Sequence, residues 1–122
     1  MISCILLLSL GFQMSGPEQA KTTAEILKCA EKDDLQGLHK EPYVSSMECR
    51  SPQGQAFVAW YNPYSGEAAC HVYIYTFDAK KNLWIRQLAK VFSDTSDVSV
   101  EFGQAIIIRD VKGKEIHRYT FE

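Results

Sequence analysis

Residues 70–92 read CHVYIYTFDAKKNLWIRQLAKVF, two alternating runs rich in β-branched and aromatic residues around the break Asp78-Ala79-Lys80-Lys81-Asn82. Period-two alternation on both sides of a short polar segment is the pattern of a β-hairpin. Asp78 can accept hydrogen bonds from the turn backbone ahead of it, and Asn82 tolerates the left-handed conformation that closes a four-residue loop. With residues 79–82 as the loop, Asp78 pairs with Leu83 and the register follows. Val72 then faces Ala89, Ile74 faces Gln87, Thr76 faces Ile85 and Cys70 faces Val91. The other side joins His71 with Lys90, Tyr73 with Leu88, Tyr75 with Arg86 and Phe77 with Trp84. One face is therefore small and aliphatic, suited to a helix laid across it, and the other is aromatic with cations among the rings. A one-residue slip would mix the two sets, which favours this register.

The aromatic face has two readings. Cross-strand ring pairs can form a second core layer or stiffen a half-wet sheet. They can also anchor a ligand, because Tyr, Trp and Arg dominate binding hot spots. On the second reading the site comprises Tyr73, Tyr75, Trp84 and Arg86, with Trp60 and Tyr64 added from the loop before the hairpin. Arg86 would engage a carboxylate while the rings supply apolar area.

Upstream, Ser15-Gly16-Pro17-Glu18 has the chemistry of a helix start: a capping Ser, a Pro suited to the first turn and a Glu at capping-box spacing. The helix is expected to run to about Asp33. Ala20, Thr23, Ala24, Leu27 and Ala30 form its sheet-facing stripe, widened by Ile26, and Lys21, Glu25, Lys28, Glu31 and Lys32 form its solvated side. Asp33-Asp34 reads as a solvated terminus, although acidic residues are unfavourable at that end of the helix dipole. Residues 44–50 and 55–61 alternate as strands around a Ser51-Pro52-Gln53-Gly54 turn. Asn62-Pro63-Tyr64-Ser65-Gly66 is a loop of strong turn formers and, with Trp60, the most aromatic loop of the chain. It is the expected rim of any site at a sheet end. Downstream, residues 98–101, 105–109 and 115–121 read as three further strands, the last two joined by a turn with Gly113 in the left-handed position. The count predicts an α+β chain. One N-terminal helix packs on an antiparallel meander sheet of six to seven strands, strongly curled or partly closed into a barrel.

The chain has 122 residues, 46% apolar and 23% charged, which is one domain of ordinary globular composition. A formal charge of −2 with interspersed signs carries no nucleic-acid footprint. Residues 1–12, MISCILLLSLGF, have the apolar core of a secretory signal without its basic lead. Ser9-Leu10-Gly11 is a small-x-small cleavage site, with Ser15 or Gly16 as alternatives, so residues 1–16 read as a leader segment and 17–122 as the domain. The apolar run covers about ten residues, against the roughly 20 that a membrane-spanning helix needs. A secreted or periplasmic location follows as an expectation.

Export leaves Cys29, Cys49 and Cys70, of which a bridge from Cys29 to one of the others is favoured. No cofactor is indicated and no metal site stands out: C-x-x-C and H-x-x-x-H are absent, and His39, His71 and His117 are scattered. Cys70 and His71, adjacent on a strand, point to opposite faces and cannot form a nucleophile–base pair. No G-x-G-x-x-G, P-loop or G-x-S-x-G occurs. In size, leader and cysteine content the chain is similar to small exported sheet proteins such as periplasmic lysozyme inhibitors and immunity proteins, a likeness of class without a shared motif. The expectation is an exported, non-enzymatic binding or inhibitor-like domain with a protein or glycan ligand. The alternatives are a small cysteine-dependent hydrolase and a structural subunit of an envelope assembly.

Overall fold

In the computed structural model, which describes residues 14–64 and 67–121, the chain runs β1 (Gln19–Ala20), α1 (Thr23–Asp34), β2 (Ser45–Ser51), β3 (Gly54–Tyr61), β4 (Cys70–Asp78), β5 (Leu83–Phe92), β6 (Ser99–Phe102), β7 (Ala105–Arg109) and β8 (Glu115–Thr120). The hairpin β4–β5 lies in the middle of a five-stranded sheet of order β1-β5-β4-β3-β2, and β6-β7-β8 form a second sheet. All strand pairs are antiparallel. The α+β class is as expected, but the single curled meander is not. The polar stretch after Phe92 carries the chain from one sheet to the other, and the strands form two open sheets without closing a barrel. Among the described residues no helix is long and apolar enough to cross a membrane. The leader expected at residues 1–12 lies outside the described residues.

The turn chemistry acts as its residues predict. Asp78 Oδ1 accepts from the backbone N–H of Lys80 at 3.0 Å and of Lys81 at 3.1 Å. Asn82 takes the left-handed φ of 56° that closes the loop. Asp78–Leu83, Phe77–Trp84, Thr76–Ile85 and Tyr75–Arg86 pair as expected, and then the register slips by one between Ile74 and Tyr75. Ile74 meets Leu88 rather than Gln87, Tyr73 meets Ala89, Val72 meets Lys90 and Cys70 meets Phe92. The cause is visible in the uninterrupted register: it would set Gln87 against Ile74 in an apolar layer. Bulging the strand at Gln87 leaves its amide outside, bonded to Thr76 Oγ1 at 3.0 Å, and brings Leu88 and Phe92 onto the aliphatic side.

The helix starts seven residues later than expected, its cap at Thr22 rather than Ser15. Residues 15–18 are irregular, with a bend at Glu18; β1 pairs with β5 through Gln19–Ile85 and Ala20–Trp84, and Thr22 is the N-cap, its hydroxyl accepting from Glu25 N at 3.2 Å. Thr22-Thr23-Ala24-Glu25 is a second capping-box sequence. The earlier segment is held instead by distant side chains, Ser15 by Asp33, Gly16 by Tyr73 and Arg86, and Pro17 by Tyr75. The buried stripe of α1 is centred on Ile26 and Ala30 and continues into Asp33 and Asp34, while Ala24 is exposed.

The layer order also differs from the expected one. The helix covers the aromatic face of the five-stranded sheet, so that Ile26 and Ala30 pack with Phe57, Ala59, Tyr61, Tyr73, Tyr75 and Trp84. The aliphatic face, with Val58, Val72 and Ile74, packs instead against Ile106 and Ile108 of the second sheet. The partition is chemical. Buried tyrosine hydroxyls need acceptors, which the helix end and the N-terminal segment supply and isoleucines cannot.

Candidate functional site

The residues expected to form an exposed aromatic–cationic face are placed in two groups. Tyr73 and Tyr75 are fully buried and Trp84 is 7% exposed. Tyr73 donates to Asp33 Oδ2 at 2.7 Å and accepts from Gly16 N at 2.7 Å, and Tyr75 donates to the carbonyl of Pro17 at 2.5 Å. Burial pushes both phenols well above the ordinary tyrosine range. Trp84 is wedged against Phe77 and Phe57, with ring centroids 5.2 and 6.5 Å away. Arg86 is half-buried and donates to the carbonyl of Gly16 at 2.5 Å, so its guanidinium holds backbone. This face is an interior layer, because α1 and the segment ahead of β1 lie on it.

Asp33 is the centre of that layer. Its carboxylate accepts from Ser15 N (3.0 Å), Ser15 Oγ (2.5 Å), Gln36 Nε2 (3.3 Å), Tyr61 OH (3.0 Å) and Tyr73 OH (2.7 Å). Asp34 is wholly buried beside it. The expected solvated terminus is therefore a pair of interior carboxylates. The clue in the sequence was electrostatic: two acids at the unfavourable end of the helix dipole imply specific donors.

Trp60, near the end of β3, packs toward the aliphatic layer, whereas Tyr64 sits in the loop that follows, against His71, so the two are not brought together. At that end of the sheet a cleft of about 250 Å³ is lined by His39, Tyr43, Ser45, Trp60, Tyr61, Asn62, Ser96 and Asp97. Its wall is the loop of residues 35–43, which joins α1 to the sheet. Asp34 Oδ2 accepts from Tyr43 N at 2.6 Å, closing the loop on itself. Leu38 N donates to the carbonyl of Pro63 at 2.7 Å, and His39 Nε2 to the carbonyl of Asn62 at 2.8 Å. Asn62 in turn donates to the carbonyls of Glu67 and Ser96 and accepts from Tyr64 N. Three loops are thus tied into one rigid rim. Outward from it stand Leu38, 71% exposed, and Tyr43, 80% exposed. Tyr64 is half-buried over the edge of the His71 ring. The sequence had marked Trp60 and Tyr64 but missed His39, Tyr43 and Asp34, because only the folded loop brings them together.

The thiols and imidazoles are differently placed. Cys29, Cys49 and Cys70 are free, correcting the expected bridge. Cys49 and Cys70 belong to the aliphatic layer, whereas Cys29 is on the helix across the sheet from them. Cys49 is level with Thr76 through Ala56, six residues along β4 from Cys70, far outside disulfide range. Burial raises all three thiol pKa values, that of Cys70 to about 12. At pH 8 the Cys70 thiolate fraction is then about 10⁻⁴, against about 10⁻¹ for a thiol of ordinary acidity. Alkylation of the native protein is expected to be slowest at Cys70 and to accelerate at least 100-fold on unfolding in urea, read by mass spectrometry. His71 is buried against Tyr61 at 5.0 Å, its Nδ1 without a hydrogen-bond partner among the described residues, and burial lowers its pKa. His117 packs on Phe92 in the other layer. Among the described residues no three His, Cys, Asp or Glu side chains converge to hold a metal ion.

No protein-family model, no curated protein and no solved structure matches this chain.

Proposed function

We propose that this is an exported, non-enzymatic binding domain that engages a protein partner through the loop of residues 35–43 and the cleft beside it. The observation that carries the reading is the contrast between backbone and side chains in that loop. Its backbone is pinned from inside by Asp34 and Pro63 and its His39 ring by the Asn62 carbonyl, while Leu38 and Tyr43 face solvent. Exposed apolar side chains on a pre-ordered loop lose little entropy on docking, so more of their burial appears as affinity. Leu38 together with Leu35, also exposed, favours a protein over a saccharide, because an aliphatic surface offers no partner to hydroxyls. Trp60 and the polar groups of the cleft then supply the aromatic anchor and the hydrogen-bonding rim of an interface.

The test is capture from the source organism's envelope and secreted fractions with the mature wild type and with a Leu38→Ser/Tyr43→Ala variant. Both side chains are exposed, so the variant is expected to keep wild-type stability, checked by urea unfolding. One stoichiometric protein held by the wild type, with affinity reduced about 10- to 100-fold in the variant, is the expected result. A protein retained equally by both would move the interface elsewhere on the chain. Binding confined to saccharides would replace the protein ligand with a glycan, and no retained ligand of either kind would remove the binding reading.

A further inference from the structure

The cleft beside the loop of residues 35–43 is electrostatically one-sided. Trp60, Tyr61 and Tyr43 supply its rings and Asp97 its carboxylate, and no lysine or arginine lines it. Asp97 is exposed, with Oδ1 accepting from Val98 N at 2.8 Å, and no cation among the described residues pairs with it. The nitrogen donors of the rim are spent within it: His39 Nε2 on the carbonyl of Asn62, and Asn62 Nδ2 on the carbonyls of Glu67 and Ser96. What faces the open space is rings, hydroxyls and a carboxylate. Further negative charge lies behind the wall. Asp34 is wholly buried, its Oδ2 holds Tyr43 N at 2.6 Å, and its Oδ1 has no hydrogen-bond partner among the described residues. The base beside it is His39, 3.6 Å away, whose Nε2 proton is directed to Asn62. Asp33 adds a second interior carboxylate whose donors are all neutral. Low-dielectric walls focus such charge into a cleft.

We infer that the cleft is a recognition pocket for an arginine side chain of the protein partner, its guanidinium lying against the rings of Trp60 and Tyr43 and donating to Asp97. This rests on the protein-binding reading given above and names the chemistry of its central contact. A cation meets both halves of the lining, because ring faces attract positive charge and the carboxylate accepts a charge-assisted hydrogen bond. Arginine fits better than lysine. Its planar fork stacks on a ring while five N–H donors remain for acceptors around its edge, and it gives up water more readily than an ammonium. An anionic partner group would meet Asp97 with Asp34 behind it and find no cation in the lining.

N-acetyl-arginine methylamide and its neutral isostere, N-acetyl-citrulline methylamide, are titrated into the purified protein, wild type and Asp97→Asn, and the Trp60 indole signal is followed by NMR. The substitution keeps an acceptor for Val98 N, so the urea midpoint is expected to stay at the wild-type value. The expected results are a saturable shift with the arginine probe, and binding about tenfold weaker both for the citrulline probe and for Asp97→Asn. High salt should narrow the gap between the two probes. Equal binding of the two probes to the wild type overturns the pocket, a comparison that holds whether or not the variant folds. So does an arginine affinity unchanged in a folded Asp97→Asn. A partner captured equally by wild type and Asp97→Asn, with no shift from the arginine probe, overturns the pocket and leaves the protein-binding reading intact. A saturable, charge-dependent shift with no protein captured upholds the pocket and overturns that reading.

Discussion

Asp33→Ala is expected to lower the free energy of unfolding by about 4 kcal/mol or more, enough to leave a domain of this size barely folded. The side chain accepts five hydrogen bonds, from both donors of Ser15, from Gln36, and from the hydroxyls of Tyr61 and Tyr73. Truncation leaves two phenols in the interior with a lost acceptor, at about 1–3 kcal/mol for each unsatisfied group. It also frees the segment ahead of β1. Asp33→Asn keeps the shape but substitutes a donor for one acceptor oxygen, and about half the loss is expected. Urea denaturation followed by Trp84 fluorescence reads both. Asp78→Ala, which touches only the exposed N–H groups of Lys80 and Lys81, serves as the surface control at about 1 kcal/mol. If Asp33→Ala costs no more than that control, the aromatic layer is held by packing alone.

Gly37→Ala is the second large effect, and it joins stability to binding. A Cβ at this position would lie 2.0 Å from the carbonyl oxygen of Pro63 and 2.6 Å from its carbonyl carbon. These are backbone atoms, so no rotamer change relieves the contact and the two loops must part. Parting them breaks the Leu38 N–Pro63 and His39–Asn62 hydrogen bonds and releases the rim of the cleft. We expect a loss of about 2–3 kcal/mol in stability and a fall in partner affinity of more than tenfold beyond it, because the loop would have to be re-ordered on docking. Gly103→Ala, with nothing within 4 Å of the added Cβ, should change stability by less than about 0.5 kcal/mol. Equal behaviour of the two variants would show that the loop of residues 35–43 tolerates rearrangement and owes nothing to pre-ordering.

Local chemistry was legible in the chain. The Asp78 and Asn82 turn, the left-handed Gly113, the paired faces of β3 and the buried isoleucine strand β7 follow from residues that each state one preference within a few neighbours. The helix start was read at Ser15, whereas the fold places the N-cap at Thr22. Both positions carry capping sequences, so local propensity does not choose between them. The choice was made by the hydrogen bonds that Ser15, Gly16 and Pro17 find on distant residues.

The candidate site was the least legible part. Tyr73, Tyr75, Trp84 and Arg86 look the same in sequence whether a ligand or a helix lies on them, since both uses select large rings with a polar tip. What distinguishes the cases is whether an acceptor of the same chain reaches the hydroxyls. Asp33 does, from 40 residues away along the chain from Tyr73. The cleft, likewise, is assembled from loops at residues 35–43, 62–64 and 96–97 that no spacing rule connects.

Alternation and turn propensity, which act within a few residues, made the strands from β2 onward and their turns readable in the chain, but not the edge strand β1 or the register shift between Ile74 and Tyr75. What covers each face was settled by the tertiary fold: the isoleucines of β7 on the aliphatic side, and the helix with Asp33 on the tyrosines. The physical reason is satisfaction of buried polar groups. A hydroxyl enters the interior only against an acceptor, and which acceptor arrives is a property of the whole fold.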